Sequence, residues 1–161
     1  MTRVLCVVTA LLALAGCAPK DNEPTGIGKW QFGKFTLAKV DYTPFCQKTD
    51  LSDGRKGTWC FQQPPFKIGD RNAEVSLYFL GTEQSAPLIE IQFEVRGCVE
   101  SELDGWLRNA FGAPTATRAN RAYWQNKHVW VAAMMPAEPA KCRVHMIPRS
   151  ESSEIERIKL L

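Results

Sequence analysis

Two stretches of strict alternation stand in the middle of the chain. Ala73, Val75, Leu77 and Phe79 alternate with Glu74, Ser76 and Tyr78; Ile89, Ile91, Phe93 and Val95 alternate with Glu90, Gln92, Glu94 and Arg96. A period of two puts the apolar side chains on one face, so each stretch predicts a strand with one buried and one wetted face. The link Gly81–Pro87 is short enough to make them antiparallel neighbours. After Cys98 the period changes. Leu103, Trp106, Leu107, Ala110 and Phe111 form one helical stripe, which predicts a helix over 101–111. Ser101 with Asp104 suits a capping box, and Gly112 with Pro114 marks the stop.

Weaker patterns flank these elements. Phe35 and Leu37 alternate with Thr36 and Ala38 and suggest a short strand over 34–40. Thr43-Pro44 reads as an N-cap followed by proline at the first helical position, opening a turn through Phe45 and Cys46. Thr49–Gly57 is turn chemistry, and Thr58–Gln62 suggests a second strand. After Tyr123-Trp124, strands are expected over His128–Met134 and, beyond a Pro/Ala/Glu loop, over Cys142–Ile147, with a helical turn over Ser152–Ile158. Strands run together instead of alternating one-for-one with helices. The expected class is therefore α+β: one domain, with an antiparallel sheet covered by one main helix.

Composition narrows the function classes without choosing one. The 161 residues are 45% hydrophobic and 23% charged, with net charge +3. That is the composition of one globular domain, and the charge is too mild to argue for nucleic acid. The apolar run Val4–Ala15 is too short for the roughly 20 residues of a spanning helix. It follows Arg3 and precedes small residues, the pattern of a secretory signal peptide over 1–16.

The residues Leu14-Ala15-Gly16-Cys17 resemble the lipobox of bacterial lipoproteins. The resemblance implies that Cys17 is acylated (palmitate among its chains) and becomes the first residue of the mature chain. Several acyl chains make a stable membrane anchor. Ala18 in place of aspartate implies the periplasmic face of the outer membrane. Residues 17–28, rich in proline, glycine and polar side chains, are expected to form a lipidated flexible tether, with the globular domain over 29–161.

Cys6 leaves with the signal and Cys17 takes lipid, so Cys46, Cys60, Cys98 and Cys142 remain for an oxidising compartment. Proximity along the chain favours Cys46–Cys60 with Cys98–Cys142 among the three possible pairings. The competing reading, a zinc site, lacks a CxxC pair, and His128 and His145 are not at ligand spacing. No metal or cofactor is expected.

From Leu103 through Phe111-Gly112-Ala113-Pro114 to Trp124 the chain resembles a module of small bacterial envelope lipoproteins and inhibitors. In that module a short helix ends in a Leu/Phe-Gly-x-Pro turn and an aromatic-rich strand follows. Outer-membrane assembly accessory lipoproteins and the β-lactamase-inhibitor-like fold both use it. The resemblance implies an α+β domain and carries over no functional residue.

Chemistry-bearing residues are few. His128 and His145 fall on alternate faces of apolar strands and are expected to be half-exposed. Glu90 and Glu94 share a wetted strand face roughly 13 Å apart, too far for a glycosidase pair on one strand. There is no GxSxG elbow. Arg121, Tyr123, Trp124 and Trp130 offer the residue types that anchor interfaces, and suggest a surface for an envelope protein or glycan. The expected function is a lipid-anchored, non-enzymatic envelope binding or accessory protein; the alternative is an envelope hydrolase acting on cell-wall material.

Overall fold

A computed structural model of the chain describes residues 23–138 and 140–160. The expected signal peptide 1–16 and the lipidation site Cys17 lie outside the described residues. A small hairpin, β1 (Gly26–Ile27) and β2 (Trp30–Gln31), precedes two four-strand meanders, each followed by a helix. The first meander is β3 (Cys46–Asp50), β4 (Lys56–Ile68), β5 (Arg71–Leu80) and β6 (Leu88–Arg96), followed by α1 (Glu100–Phe111). The second is β7 (Ala116–Arg118), β8 (Arg121–Gln125), β9 (Val129–Glu138) and β10 (Lys141–Pro148), followed by α2 (Ser152–Leu160).

The meanders join into one eight-stranded antiparallel sheet, ordered β3-β4-β5-β6-β10-β9-β8-β7. Helix α1 carries the chain from the sheet centre to its far edge, and β10 returns to pair with β6. This is the expected α+β architecture. Both expected disulfides are present, Cys46–Cys60 and Cys98–Cys142. The first joins directly opposed residues of β3 and β4; the second ties the start of α1 to β10. In the chain-entropy model such cross-links are worth about 3–4 kcal/mol each.

The alternating residues of β5 and β6 meet on the sheet's first face, where Val75, Leu77, Phe79, Ile91, Phe93 and Val95 are buried. Leu103 and Leu107 of α1 pack on this face, as do Phe35 and Leu37. Trp106 is half-buried, stacked on Phe66 and edge-on to Phe93. Thus α1 covers the first face while α2 lies on the second, packing Ile155 and Ile158 against Trp130, Ala132 and Ile147.

Several local expectations give way. Residues 34–40 are not a strand: a bridge from Thr36 to Pro87 leads into a 3₁₀ turn over Leu37–Lys39. The amides of Leu37 and Ala38 bond to the carbonyls of Ala86 and Gln84, so this segment docks on the β5–β6 loop. Thr43 lies inside a second 3₁₀ turn, Thr43–Phe45, with Tyr42 at the N-cap position and no side-chain capping bond. Helix α1 starts after Val99 with no side-chain cap; Asp104 accepts from Arg108 Nε at 2.6 Å instead. Gly112 ends α1 at φ 79°, a conformation that suits glycine.

The expected tether is shorter at its far end. Gly26 and Ile27 pair with Gln31 and Trp30, and a Cβ on Gly26 would lie 2.0 Å from the Trp30 carbonyl oxygen. The carbonyl of Pro24 accepts from Asn126 Nδ2 at 3.0 Å. Residues 24–28 therefore belong to the folded domain.

Candidate functional site

The second face of the sheet is covered by α2 only in part. Its uncovered portion is built by strand alternation: Trp59 and Phe61 from β4, Glu74, Ser76 and Tyr78 from β5, Gln92 and Glu94 from β6, and Arg143 from β10. Two concavities of about 540 and 280 Å³ lie on it and share Tyr78 and Gln92. Together they form one groove along the strands. Between the levels of Glu90 and Arg96 it runs about 20 Å at the usual strand rise.

One wall is aromatic. Trp59 packs against Phe61 at 4.9 Å between ring centroids and lies nearly parallel to Tyr78 at 6.1 Å. Phe45 and Tyr42 continue the row behind Phe61. β4 departs from regular pairing here: its register to β5 shifts between Cys60 and Gln63 and again between Gln63 and Phe66, with Gln62 at φ 52°. Such irregularities accommodate Pro64-Pro65 within a strand.

The other side is ionic. Glu94 accepts from Arg143 Nε at 2.7 Å and from Lys141 Nζ at 2.7 Å. Burial opposes ionisation of Glu94, but these hydrogen bonds and charges hold its carboxyl below the usual range. At one end Glu74 pairs with Arg96. At the other, α2 closes a buried network. Glu90 Oε1 lies 2.6 Å from His145 Nδ1, and Glu90 Oε2 accepts from Arg157 Nη2 at 3.0 Å. Arg157 Nε donates to Glu154 Oε2 at 2.7 Å, and Ser52 Oγ bonds to Glu154 Oε1.

Two sequence expectations are corrected in this network. Glu90 is 3% exposed, not wetted, and His145 is 3% exposed, not half-exposed. The reason is that α2 folds over their strand face and brings Arg157 onto Glu90. A β5–β6 register shift between Tyr78 and Phe79 leaves Ile89 without a partner in the ladder and lets Leu88 join Ile91 and Phe93 on the first face. His128 is partly buried, as expected.

Tyr78 stands where the two concavities meet. Burial first, and the Glu90 charge second, push its phenol up to about 12. It is therefore a neutral hydroxyl at physiological pH, and it makes no hydrogen bond among the described residues. The indole Nε1 of Trp59 is a buried donor without a partner.

The four residues proposed from sequence as a contact surface do not share a face. Trp124 is 1% exposed on the first face, and its Nε1 donates to the Gly112 carbonyl at 3.0 Å. Trp130 is 5% exposed beneath α2 and stacks on the partly buried Tyr123 at 5.6 Å. Arg121 opens toward α1, near Asp104 and Arg108. Alternation along β8 separates Trp124 from Tyr123, because adjacent strand residues must point to opposite faces. The groove residues Trp59, Tyr78 and Gln92 were visible in sequence only as the polar or aromatic members of alternating strands.

Among the described residues no group of three or more His, Cys, Asp or Glu side chains could hold a metal ion. No protein family, curated protein or solved structure matches this chain.

Proposed function

We propose that this chain is a lipid-anchored, non-enzymatic envelope protein that binds another envelope component in the groove on the second sheet face. The anchoring part rests on the Leu14-Ala15-Gly16-Cys17 pattern after a short apolar run. The two disulfides favour an oxidising compartment such as the periplasm. With folded structure beginning by Pro24, few residues separate Cys17 from the domain, so the domain works close to its membrane.

One observation carries the binding part. Every carboxylate lining the groove is engaged by a cation: Asp50 by Lys56, Glu74 by Arg96, Glu90 and Glu154 by Arg157, and Glu94 by Lys141 and Arg143. A general acid needs a carboxyl tuned upward toward neutral pH. Glu94 is tuned downward. The arrangement offers fixed hydrogen-bonding groups beside aromatic rings, which is recognition chemistry.

The test has two arms. Labelled palmitate enters the wild-type chain and not Cys17→Ser; incorporation into the variant would refute the anchor. A photoreactive amino acid at position 76, on the groove floor, traps an envelope component in intact cells, whereas one at exposed position 67 does not. Equal trapping at both positions, or none at 76, would refute the groove.

A further inference from the structure

We infer that the groove binds an uncharged oligosaccharide segment lying along the strands; the inference rests on the binding reading above and names the ligand class for that site. Three features point to a sugar chain. First, Trp59, Phe61 and Tyr78 line the larger concavity as one packed aromatic wall, an apolar surface beside which the C–H groups of pyranose rings can lie. Second, the groove is ionic but balanced over its length: Asp50, Glu74, Glu90, Glu94 and Glu154 are paired with Lys56, Arg96, Arg157, Lys141 and Arg143. Such pairs display fixed donors and acceptors to hydroxyl groups while giving no net attraction to a strongly charged ligand.

Third, the Tyr78 hydroxyl stands where the two concavities meet, makes no hydrogen bond among the described residues and is free to pair with a ligand oxygen. Gln92, shared by both concavities, adds an amide that can donate and accept at the midpoint.

An extended peptide fits less well. Peptides recognised by sheets add to an edge, where unpaired backbone groups receive them. This groove lies on the face between β5 and β10, where backbone groups are used in the ladders; β4 beyond Cys60 has no strand paired on its outer side among the described residues, but Pro64 and Pro65 remove two of the amide donors a peptide strand would need there. A saccharide needs only side-chain partners. At about 20 Å on strand-rise arithmetic the groove has room for a short run of linked pyranose units.

The experiment is a titration of the disulfide-intact domain with two soluble neutral tetrasaccharides, one of β-1,4-linked N-acetylglucosamine and one of β-1,4-linked glucose. The readout is the Trp59 indole N–H resonance, assigned with Trp59→Phe. At least one tetrasaccharide should shift it saturably. Tyr78→Phe, which keeps the ring, should weaken binding several-fold, and Gln92→Ala should do the same. Trp59→Ala, followed through the backbone amide of Ser76 because the indole is gone, should weaken it at least tenfold if the variant stays folded by its amide spectrum; Trp59→Phe, read the same way, serves if it does not. The saccharide assignment is overturned if neither probe shifts the resonance, or if Tyr78→Phe and Gln92→Ala both bind like wild type. If the photoreactive residue at 76 still traps a non-saccharide component, the ligand class falls and the binding reading stands. If it traps nothing, both fall.

Discussion

His145 on β10 and Glu90 on β6 meet beneath α2, with Nδ1 and Oε1 2.6 Å apart and each side chain 4% exposed. A carboxylate only accepts, so His145 carries a proton on Nδ1 and donates it to Glu90. Arg157, 32% exposed, approaches the other Glu90 oxygen and so fastens the C-terminal helix to the sheet. Removing Glu90 leaves His145 buried and loosens α2. Glu90→Ala should cost about 3–5 kcal/mol in urea unfolding, the scale for breaking a buried pair. Glu74→Ala, which breaks an exposed pair with Arg96, should cost about 1 kcal/mol or less. Equal costs would mean that Glu90 is not buried as described.

Tyr78 should titrate late. Its folded-state phenol is raised to about 12, above the ordinary value of 10.0. Between those values the unfolded chain releases a proton that the folded chain retains. The stabilisation is therefore complete below the unfolded value and is lost as pH rises through the folded one. Ultraviolet difference titration should show a phenolate step near pH 12 that is missing in Tyr78→Phe. A Tyr78 step near the ordinary value would place its ring in solvent.

Glu94 acts at the opposite end of the pH scale. Its folded-state carboxyl is depressed by Lys141 and Arg143 despite burial. Its stabilisation is present above the unfolded value, near 4.5, and is lost as pH falls through the folded one. Glu94→Gln should flatten the acid limb of the stability curve while changing the shape of the alkaline limb little. An unchanged acid limb would show that the three side chains do not interact in solution.

Leu107 is 0% exposed under α1, while Ala110 on the same helix is exposed. Leu107→Ala should cost about 2–5 kcal/mol and Ala110→Ser well under 1 kcal/mol, measured by thermal or urea unfolding. Comparable losses at the two positions would mean that α1 is rotated from the orientation described.

Local patterns carried most of the fold. The alternations around Leu77 and Phe93 became β5 and β6, the Leu103–Leu107 stripe became the buried side of α1, and chain proximity paired the cysteines. Phe35 and Leu37 were legible as buried, yet their backbone forms a turn because its partners are Ala86 and Gln84, far along the chain. Of the candidate site little could be read. Trp124 and Tyr123 looked like one aromatic cluster, but adjacent strand positions face opposite ways.

The sequence by itself determined where side chains alternate, where the helical stripe runs and which cysteines lie close enough to join, because each is a property of neighbouring positions. It also determined the first face of the sheet, since a row of apolar side chains has to be covered. The tertiary structure alone decided the second face. A polar row such as Glu90, Gln92 and Glu94 is compatible with open solvent, with a groove or with a buried ion network. The choice depends on groups distant in sequence: His145, 55 positions from Glu90, and Arg157, 67 positions from it. Packing α2 over part of that face buried Glu90 and left Trp59, Tyr78 and Gln92 lining a groove, because the His145 hydrogen bond and the Arg157 charge made burial of one carboxylate tolerable.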